Sequence, residues 1–303
     1  MLALKTSKQT VTRFAFSANG SHLAAAGTGR KVHLWDMTAK KLRAKSLPTF
    51  RDATEWIGFL PSGMLFTISS MGEYARHDPV AGTTDAAALK RWSIGDVVAE
   101  PDGSAFYGTG WEARKWALDG RLQEVWNAPV PGGGFFYGRG GAVLTPAGEY
   151  IAAIMVDGRT TRLHVRAALG GAFRGEHVLS PCLVSNLTLL PDGRTLVFLR
   201  HQEYQGETPN AIVTGTVNGA FEPVLVAPEP DTFSALALHP SGERLAVGHS
   251  DGTVRVFDVG TWREVKAYQW PVRPVAGLAF APDGLRAAAG GADGRIVVWD
   301  VDL

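Results

Sequence analysis

The chain has 303 residues, with 30 basic and 29 acidic side chains and a formal net charge of +1. A balance this even argues against a nonspecific nucleic-acid binder, because such proteins usually carry a basic excess. The single cysteine, Cys182, excludes an intrachain disulfide. No apolar run approaches the roughly 18 residues of a membrane span, and Met1–Thr10 lacks the apolar core of a signal peptide. We therefore expect a cytoplasmic protein.

A turn that combines Pro or Ser with Gly recurs along the whole chain. The seven copies are Ser17–Gly20, Pro61–Gly63, Pro101–Gly103, Pro146–Gly148, Pro191–Gly193, Pro240–Gly242 and Pro282–Gly284. Their glycines are 43, 40, 45, 45, 49 and 42 residues apart. Proline sets φ for the first corner of such a turn, and glycine supplies the positive φ that closes it. Self-similarity at this period predicts a repeat architecture.

Short strands flank each turn. Apolar residues alternate with other residues before and after it, as in Phe233–Asp258, where a second turn at Ser250–Gly252 leads into a third strand. Alternation with a period of two is typical of strands with a buried face. Each copy therefore predicts a three-stranded meander, with a fourth strand in its variable tail. Helical patterns are nearly absent, and the best of them, Thr84–Trp92, falls where an outer strand is expected.

The copies differ in quality. Phe233–Asp258 aligns with Val275–Asp300 without a gap, and Phe14–Asp36 follows the same pattern. The copies between them have diverged. One has His77 before its aspartate instead of tryptophan, and another runs into an insertion at Arg200–Asn210.

The Phe-x-Pro-Asp-Gly turn, the Asp-Gly-x-Val-x-Val segment and the terminal Trp-Asp pair together resemble the WD-repeat β-propeller family. The resemblance implies an all-β, seven-bladed β-propeller of four-stranded antiparallel blades, forming a single domain over residues 1–303. The implied blades are 11–48, 53–90, 94–129, 138–179, 182–227, 232–270 and 275–303 plus 1–7. Since the last copy has no room for a fourth strand, the N-terminal strand should complete the last blade and close the ring.

One family feature is missing. No copy carries the Gly-His pair before its first strand that completes a hydrogen-bonded tetrad in standard repeats. We therefore interpret Asp251 and Asp293 as turn-forming residues, and we expect packing to depend on apolar and aromatic side chains.

Catalytic signatures are absent from the sequence. It has no nucleophile elbow, no zinc-protease motif and no phosphate-binding loop. The eight histidines are dispersed, and only His201 with Glu203 offers two neighbouring metal ligands. Paired carboxylates such as Glu229 and Asp231 stand in turn contexts. We expect no catalytic residue, no cofactor and no metal, and we classify the chain as a nonenzyme.

A binding function fits better, because a closed ring is a rigid scaffold for variable loops. By resemblance, the loops before the first strand and between the second and third strands share one rim. Arginine and aromatic residues dominate binding energies, and the rim should gather Arg30, Arg51, Trp92, Trp111, Tyr137, Arg139, His201, Tyr204 and Arg273. Two segments, Pro131–Gly141 and Arg200–Asn210, either open onto this rim or are merely tolerated insertions.

The expected function is a noncatalytic scaffold that binds a protein or peptide of unknown identity. We expect a monomeric propeller, within a possible larger complex. Two alternatives stay open: a propeller enzyme with a site at the channel mouth, and phospholigand or nucleic-acid binding through the rim arginines.

Overall fold

The computed structural model describes most of the chain. The described residues are 1–6, 9–39, 45–47, 50–89, 96–100, 102–109, 113–126, 142–144, 150–157, 160–167, 172–179, 183–201, 210–216, 219–228 and 230–302. Within these ranges every regular element is a β-strand. This part of the chain has no helix with the length and apolar character needed to cross a membrane.

The described strands form seven antiparallel sheets of four strands each. Sheet 1 contains β2 (Val11–Phe16), β3 (His22–Gly27), β4 (His33–Asp36) and β5 (Lys45–Ser46); sheet 2 contains β6 (Thr54–Phe59), β7 (Leu65–Ser69), β8 (Glu73–His77) and β9 (Thr84–Ala88); sheet 3 contains β10 (Asp96–Ala99), β11 (Ala105–Thr109), β12 (Ala113–Ala117) and β13 (Leu122–Trp126). Sheet 4 contains β14 (Ala142–Leu144), β15 (Tyr150–Asp157), β16 (Thr160–Ala167) and β17 (Phe173–Val178); sheet 5 contains β18 (Leu183–Leu189), β19 (Thr195–His201), β20 (Ala211–Thr216) and β21 (Phe221–Val226). Sheet 6 contains β22 (Phe233–Leu238), β23 (Arg244–His249), β24 (Thr253–Asp258) and β25 (Glu264–Gln269); sheet 7 contains β26 (Val275–Phe280), β27 (Arg286–Gly291), β28 (Arg295–Asp300) and β1 (Leu2–Lys5).

The chain divides into two compact units. The first unit comprises Met1–Leu89 and Glu229–Leu303, and the second comprises Lys90–Pro228. Sheets 1, 2, 6 and 7 lie in the first unit, and sheets 3, 4 and 5 lie in the second. The division follows the quality of the repeats, because the second unit contains three of the diverged copies.

The predicted fold class needs a correction at the level of the ring. The four-stranded antiparallel sheet is the repeated element that the sequence predicts. However, the prediction of a single seven-bladed ring is not borne out, because the seven described sheets divide between two compact units, four in the first and three in the second. The repeat signal predicts each sheet from local turns, but it contains no information on how strongly consecutive sheets pack together.

The N-terminal strand completes sheet 7, as predicted. Leu2 pairs with Val298 and Lys5 with Arg295, so β1 lies antiparallel to β28. Thr6 continues the contact, since its hydroxyl group donates to the carbonyl oxygen of Gly294 at 3.2 Å. This pairing covers a sheet edge that would otherwise expose unpaired backbone groups.

The predicted turns have the expected backbone. Six of the seven turn glycines have φ between 66° and 83°; the seventh, Gly148, lies outside the described residues. Asp251 and Asp293 act as turn-formers, because their Oδ1 atoms accept the backbone N–H of Thr253 at 2.7 Å and of Arg295 at 3.0 Å. The segment Thr84–Ala88 is a strand rather than a helix: it pairs along its length with β8, and this pairing outweighs the helix propensity of its alanines.

Inner strands form the core. In β27 every residue from Ala287 to Gly291 is buried, and in β7 all five residues are. The largest fully buried side chains of the described residues include Trp35, Phe66 and Phe106. Buried aromatic rings contribute most of the apolar area that stabilises such sheets.

Candidate functional site

The structure describes four of the nine predicted rim residues. Trp92, Trp111, Tyr137, Arg139 and Tyr204 lie outside the described residues, as do the whole of 131–141 and residues 202–209. Arg30, Arg51 and Arg273 lie in the first unit, and His201 lies in the second.

Arg30 and Arg51 are exposed. Arg30 lies in the loop between β3 and β4, and no carboxylate among the described residues pairs with it. The backbone N–H of Arg51 donates to Glu73 Oε2 at 2.6 Å, and its guanidinium Nε lies 3.7 Å from Oε1. Because the Arg51 side chain is 91% exposed, this ion pair contributes little to stability.

His201 is a hydrogen-bonded residue of sheet 5. Its Nε2 lies 2.6 Å from the hydroxyl oxygen of Ser185, and its Nδ1 lies 3.5 Å from the amide nitrogen of Asn210. Burial lowers the pKa of His201, so the ring is neutral at physiological pH. Glu203, its proposed partner in metal binding, lies outside the described residues.

Arg273 is the predicted residue that the structure places in a pocket. The pocket has a volume of about 510 Å³ and is lined by Gln269, Trp270, Pro271, Arg273, Asp293 and Arg295. We call it the Arg273 pocket. It is built from the connection between β25 and β26 and from the turn between β27 and β28. The prediction missed Trp270 and Arg295, although Trp270-Pro271-Val272-Arg273-Pro274 is an unusual run of aromatic, proline and arginine residues at the junction of two copies.

Buried Val272 anchors the connecting segment. It is 0% exposed and lies between two glycines. A Cβ atom at Gly252, where φ is +91°, would lie 2.7 Å from the carbonyl oxygen of Val272. A Cβ atom at Gly291 would lie 3.1 Å from the Cβ atom of Val272. Glycine at both positions therefore lets the segment lie close against sheets 6 and 7.

Aromatic packing fixes the Trp270 ring. It stacks on Tyr268 with ring centroids 5.7 Å apart and an interplanar angle of 11°, and it contacts Trp299 at 5.3 Å. The Tyr268 hydroxyl group donates to Asp302 Oδ1 at 2.9 Å. Burial and this hydrogen bond raise the pKa of Tyr268 to about 12, so the phenol keeps its proton. The pocket therefore presents an immobilised indole.

The pocket carries one positive charge in excess. Arg295 Nε pairs with Asp293 Oδ2 at 3.0 Å, and Arg295 Nη1 donates to the carbonyl oxygen of Pro271 at 3.4 Å. Arg273 is exposed, and no carboxylate of the described residues neutralises it. An anionic group of a ligand would meet a free guanidinium there.

A second polar cluster lies in sheet 6. His249 Nδ1 donates to Asp231 Oδ2, and the Ser250 hydroxyl group donates to Asp231 Oδ1 at 2.7 Å. Burial alone would raise the pKa of Asp231, but hydrogen bonds from Ser250 and His249 outweigh it and lower the pKa. Serine and histidine both contact the carboxylate rather than each other, which is not the arrangement of an activated nucleophile. These hydrogen bonds therefore link the segment just before β22 to the end of β23.

Within the described ranges, no three His, Cys, Asp or Glu side chains gather closely enough to hold a metal ion. The sequence pattern places Asp231 in a turn. Because His249 lies 18 residues away, the sequence gives no local signal for the hydrogen bonds that join the two.

Comparison with known proteins identifies the repeats. The model of the WD domain, G-beta repeat, matches residues 2–36, 223–258 and 264–300. A search of curated protein sequences gives no match. Among solved structures, the chain is similar to the β-propeller domain of Myceliophteria thermophila Cps50 (Swd1), with 16% identity, a TM-score of 0.75 and 100% of both chains covered. It is also similar to Kuenenia stuttgartiensis hydrazine synthase, with 14% identity, a TM-score of 0.80 and coverage of 98% of this chain and 97% of that one.

At these identities the structural likeness shows the fold alone, which is that of a β-propeller. The matched stretches contain the three Trp-Asp or Phe-Asp pairs, Trp35-Asp36, Phe257-Asp258 and Trp299-Asp300, on which the resemblance was predicted. The chain therefore contains WD repeats, and its predicted resemblance to the WD-repeat β-propeller family is confirmed.

Proposed function

We propose that this chain is a noncatalytic scaffold that binds a protein or peptide, and that the Arg273 pocket is part of its contact surface. The observation that supports the proposal is an unpaired, exposed Arg273 beside the immobilised ring of Trp270. Arginine and tryptophan are the residues most often found as hot spots of protein interfaces.

The pocket is also preorganised. Val272 is buried between Gly252 and Gly291, so little conformational entropy is lost when Trp270 and Arg273 contact a partner. With two guanidinium groups and one carboxylate in its lining, the pocket favours a partner segment that carries an acidic side chain.

The proposal extends to two further residues of the first unit. Arg30 lies between the second and third strands of sheet 1, and Arg51 precedes the first strand of sheet 2. Both positions belong to the loops that the WD resemblance assigns to the ligand face. We further propose that the chain acts in the cytoplasm, as a monomer that joins a larger complex through this face.

The proposal can be tested by affinity purification from the native host, with bound proteins quantified by mass spectrometry. With the variants R273E and W270A, the amount of partner protein recovered is expected to fall at least about tenfold. The matched control is R263E, because Arg263 is exposed at the opposite end of β25. Recovery of the same proteins in the same amounts with R273E, W270A and the wild-type chain would contradict the proposal.

Salt dependence separates the phospholigand alternative from protein binding. Capture through phosphate contacts weakens steeply with salt and is competed by inorganic phosphate. Partner binding that depends mainly on Trp270 is expected to persist at high salt and in the presence of inorganic phosphate. The likeness to a hydrazine synthase concerns the fold only, and the Asp231 network gives no support to an enzymatic function.

A further inference from the structure

A second cavity lies in the second unit, and it shares no lining residue with the Arg273 pocket. Its volume is about 530 Å³, and it lies between β17 of sheet 4 and strands β19, β20 and β21 of sheet 5. Residues 176–179 and 219–220 form its walls, and Phe198, Val213 and Phe221 line it together with Arg200. We call it the Arg200 groove.

The floor of the groove is apolar and well packed. Phe198 is 1% exposed, and its ring lies 5.6 Å from that of Phe221. The Phe221 ring in turn meets His177 edge-on at 5.3 Å. Phe221 can take this position because residue 215 is glycine: a Cβ atom there would lie 2.5 Å from Phe221 Cδ1.

Arg200 brings a positive charge to this apolar floor. It follows Phe198 by two residues on β19, so both side chains lie on the same face of the sheet. The Nε atom of Arg200 is buried and has no hydrogen-bond acceptor among the described residues. Burial of a guanidinium N–H without an acceptor is unfavourable unless a ligand supplies one.

The carboxylate on the groove wall is already engaged. Glu176 Oε1 accepts a hydrogen bond from Arg162 Nη1 at 2.9 Å, and its Oε2 lies 3.3 Å from His164 Nε2. Glu176 therefore forms its ion pair with Arg162 of β16. Within the described ranges, no carboxylate pairs with Arg200, and an incoming anion can neutralise its charge.

We propose that the Arg200 groove binds a small organic carboxylate with an apolar body about the size of one aromatic ring. The carboxylate accepts hydrogen bonds from the Arg200 guanidinium, and the apolar body packs on Phe198 and Phe221. A volume of about 530 Å³, with Phe198, Val213 and Phe221 beside the Arg200 guanidinium, matches small-molecule sites. This site goes beyond the scaffold function proposed for the first unit and does not depend on it.

The probe for this proposal is 3-phenylpropanoate, with the neutral 3-phenylpropanamide as its matched control. Binding to the full chain is measured by two-dimensional NMR, including the Nε resonance of Arg200. A ligand of this size is expected to bind with a dissociation constant on the order of 1 mM, and the amide at least about tenfold more weakly. The Arg200 Nε resonance shifts with the carboxylate and stays in place with the amide.

Three variants locate the site. R200Q is expected to weaken binding at least about tenfold, whereas R194Q, at the exposed turn before β19, leaves it unchanged. A220W places a large ring in the groove from an exposed position and is expected to abolish binding. If R200Q does not fold, A220W and the wild-type Nε resonance still decide the question. Equal affinity for acid and amide, an unmoved Arg200 resonance, or undiminished binding to A220W would overturn the proposal.

Discussion

The Arg273 pocket and the Arg200 groove have similar volumes, about 510 and 530 Å³, but they present their arginines in opposite ways. Arg273 is exposed beside the fixed indole of Trp270, at the junction of two copies that match the repeat pattern closely. Arg200 has a buried Nε above an apolar floor, in a diverged copy. An exposed cation suits a macromolecular surface, whereas a half-buried cation whose buried Nε has no acceptor among the described residues suits a small anion. The comparison teaches that the surroundings of an arginine, more than its presence, indicate the kind of ligand.

The largest expected effect comes from the support of the Arg273 pocket. Trp299 is 4% exposed and contacts both Trp270 and Tyr268, so W299A is expected to cost about 3–5 kcal/mol of unfolding free energy. Urea denaturation followed by circular dichroism measures this loss. The control is L285A, since Leu285 is 66% exposed and its loss should change stability by no more than about 0.5 kcal/mol.

The same variant sharpens the comparison between the two sites. In W299A that remains folded, Trp270 loses its neighbour and partner capture is expected to fall, while the groove keeps its affinity for 3-phenylpropanoate. A parallel loss of both activities would mean that the pocket and the groove are not independent.

A smaller effect is expected at the floor of the groove. In G215A the new methyl group meets the Phe221 ring at 2.5 Å and the carbonyl oxygen of Ala220 at 2.4 Å. We expect a cost of about 1–3 kcal/mol and weaker 3-phenylpropanoate binding, because Phe221 must move. G175A is the matched control, since a Cβ atom at Gly175 has nothing within 4 Å. Equal stability and affinity in the two variants would show that Phe221 does not form a rigid floor.

The smallest effect concerns pH and the network of sheet 6. Hydrogen bonds from Ser250 and His249 overcome the effect of burial and lower the pKa of Asp231 in the folded chain. A lowered carboxyl pKa adds stability above the ordinary value of about 4, and this stability is lost as the pH falls through the folded-state pKa. D231N removes this contribution, at a cost of about 1 kcal/mol near neutral pH.

The difference between D231N and the wild-type chain should therefore shrink as the pH falls below about 4. Urea denaturation at a series of pH values measures it. A difference that stays constant down to pH 3, about one unit below the ordinary carboxyl pKa, would show that the charge of Asp231 does not stabilise the fold.

The sequence predicted the sheets well because their determinants are local. A glycine such as Gly242 or Gly284 adopts positive φ wherever the turn requires it, and alternation around the turn then defines two strands. Pairing between β1 and β28 was predictable because a strand with an open edge requires a partner. The variable tail of each copy predicted the fourth strand, and the terminal Trp-Asp pair supported the WD resemblance.

The sites were less predictable because they depend on contacts between copies. Trp270 lies in a junction between copies, outside the repeat pattern. Its position depends on Val272, which fits between two glycines of different sheets. The buried Arg200 Nε atom, which has no acceptor in the described part of the chain, is a property of the folded groove and leaves no trace in the spacing of residues. For the same reason, the repeat period did not reveal the division into two units.

The pairing of β1 with β28 also affects how the protein is made. Thr6 and Gly294 are in contact although 288 residues separate them in sequence. During translation, β1 emerges from the ribosome long before its neighbour in sheet 7, and its backbone groups stay open to chaperones or to other nascent chains. Arg295, which lines the Arg273 pocket, belongs to β28, the strand that pairs with β1. A chain truncated before β28 would thus lose Arg295 from the lining of the Arg273 pocket and leave the edge of β1 unpaired.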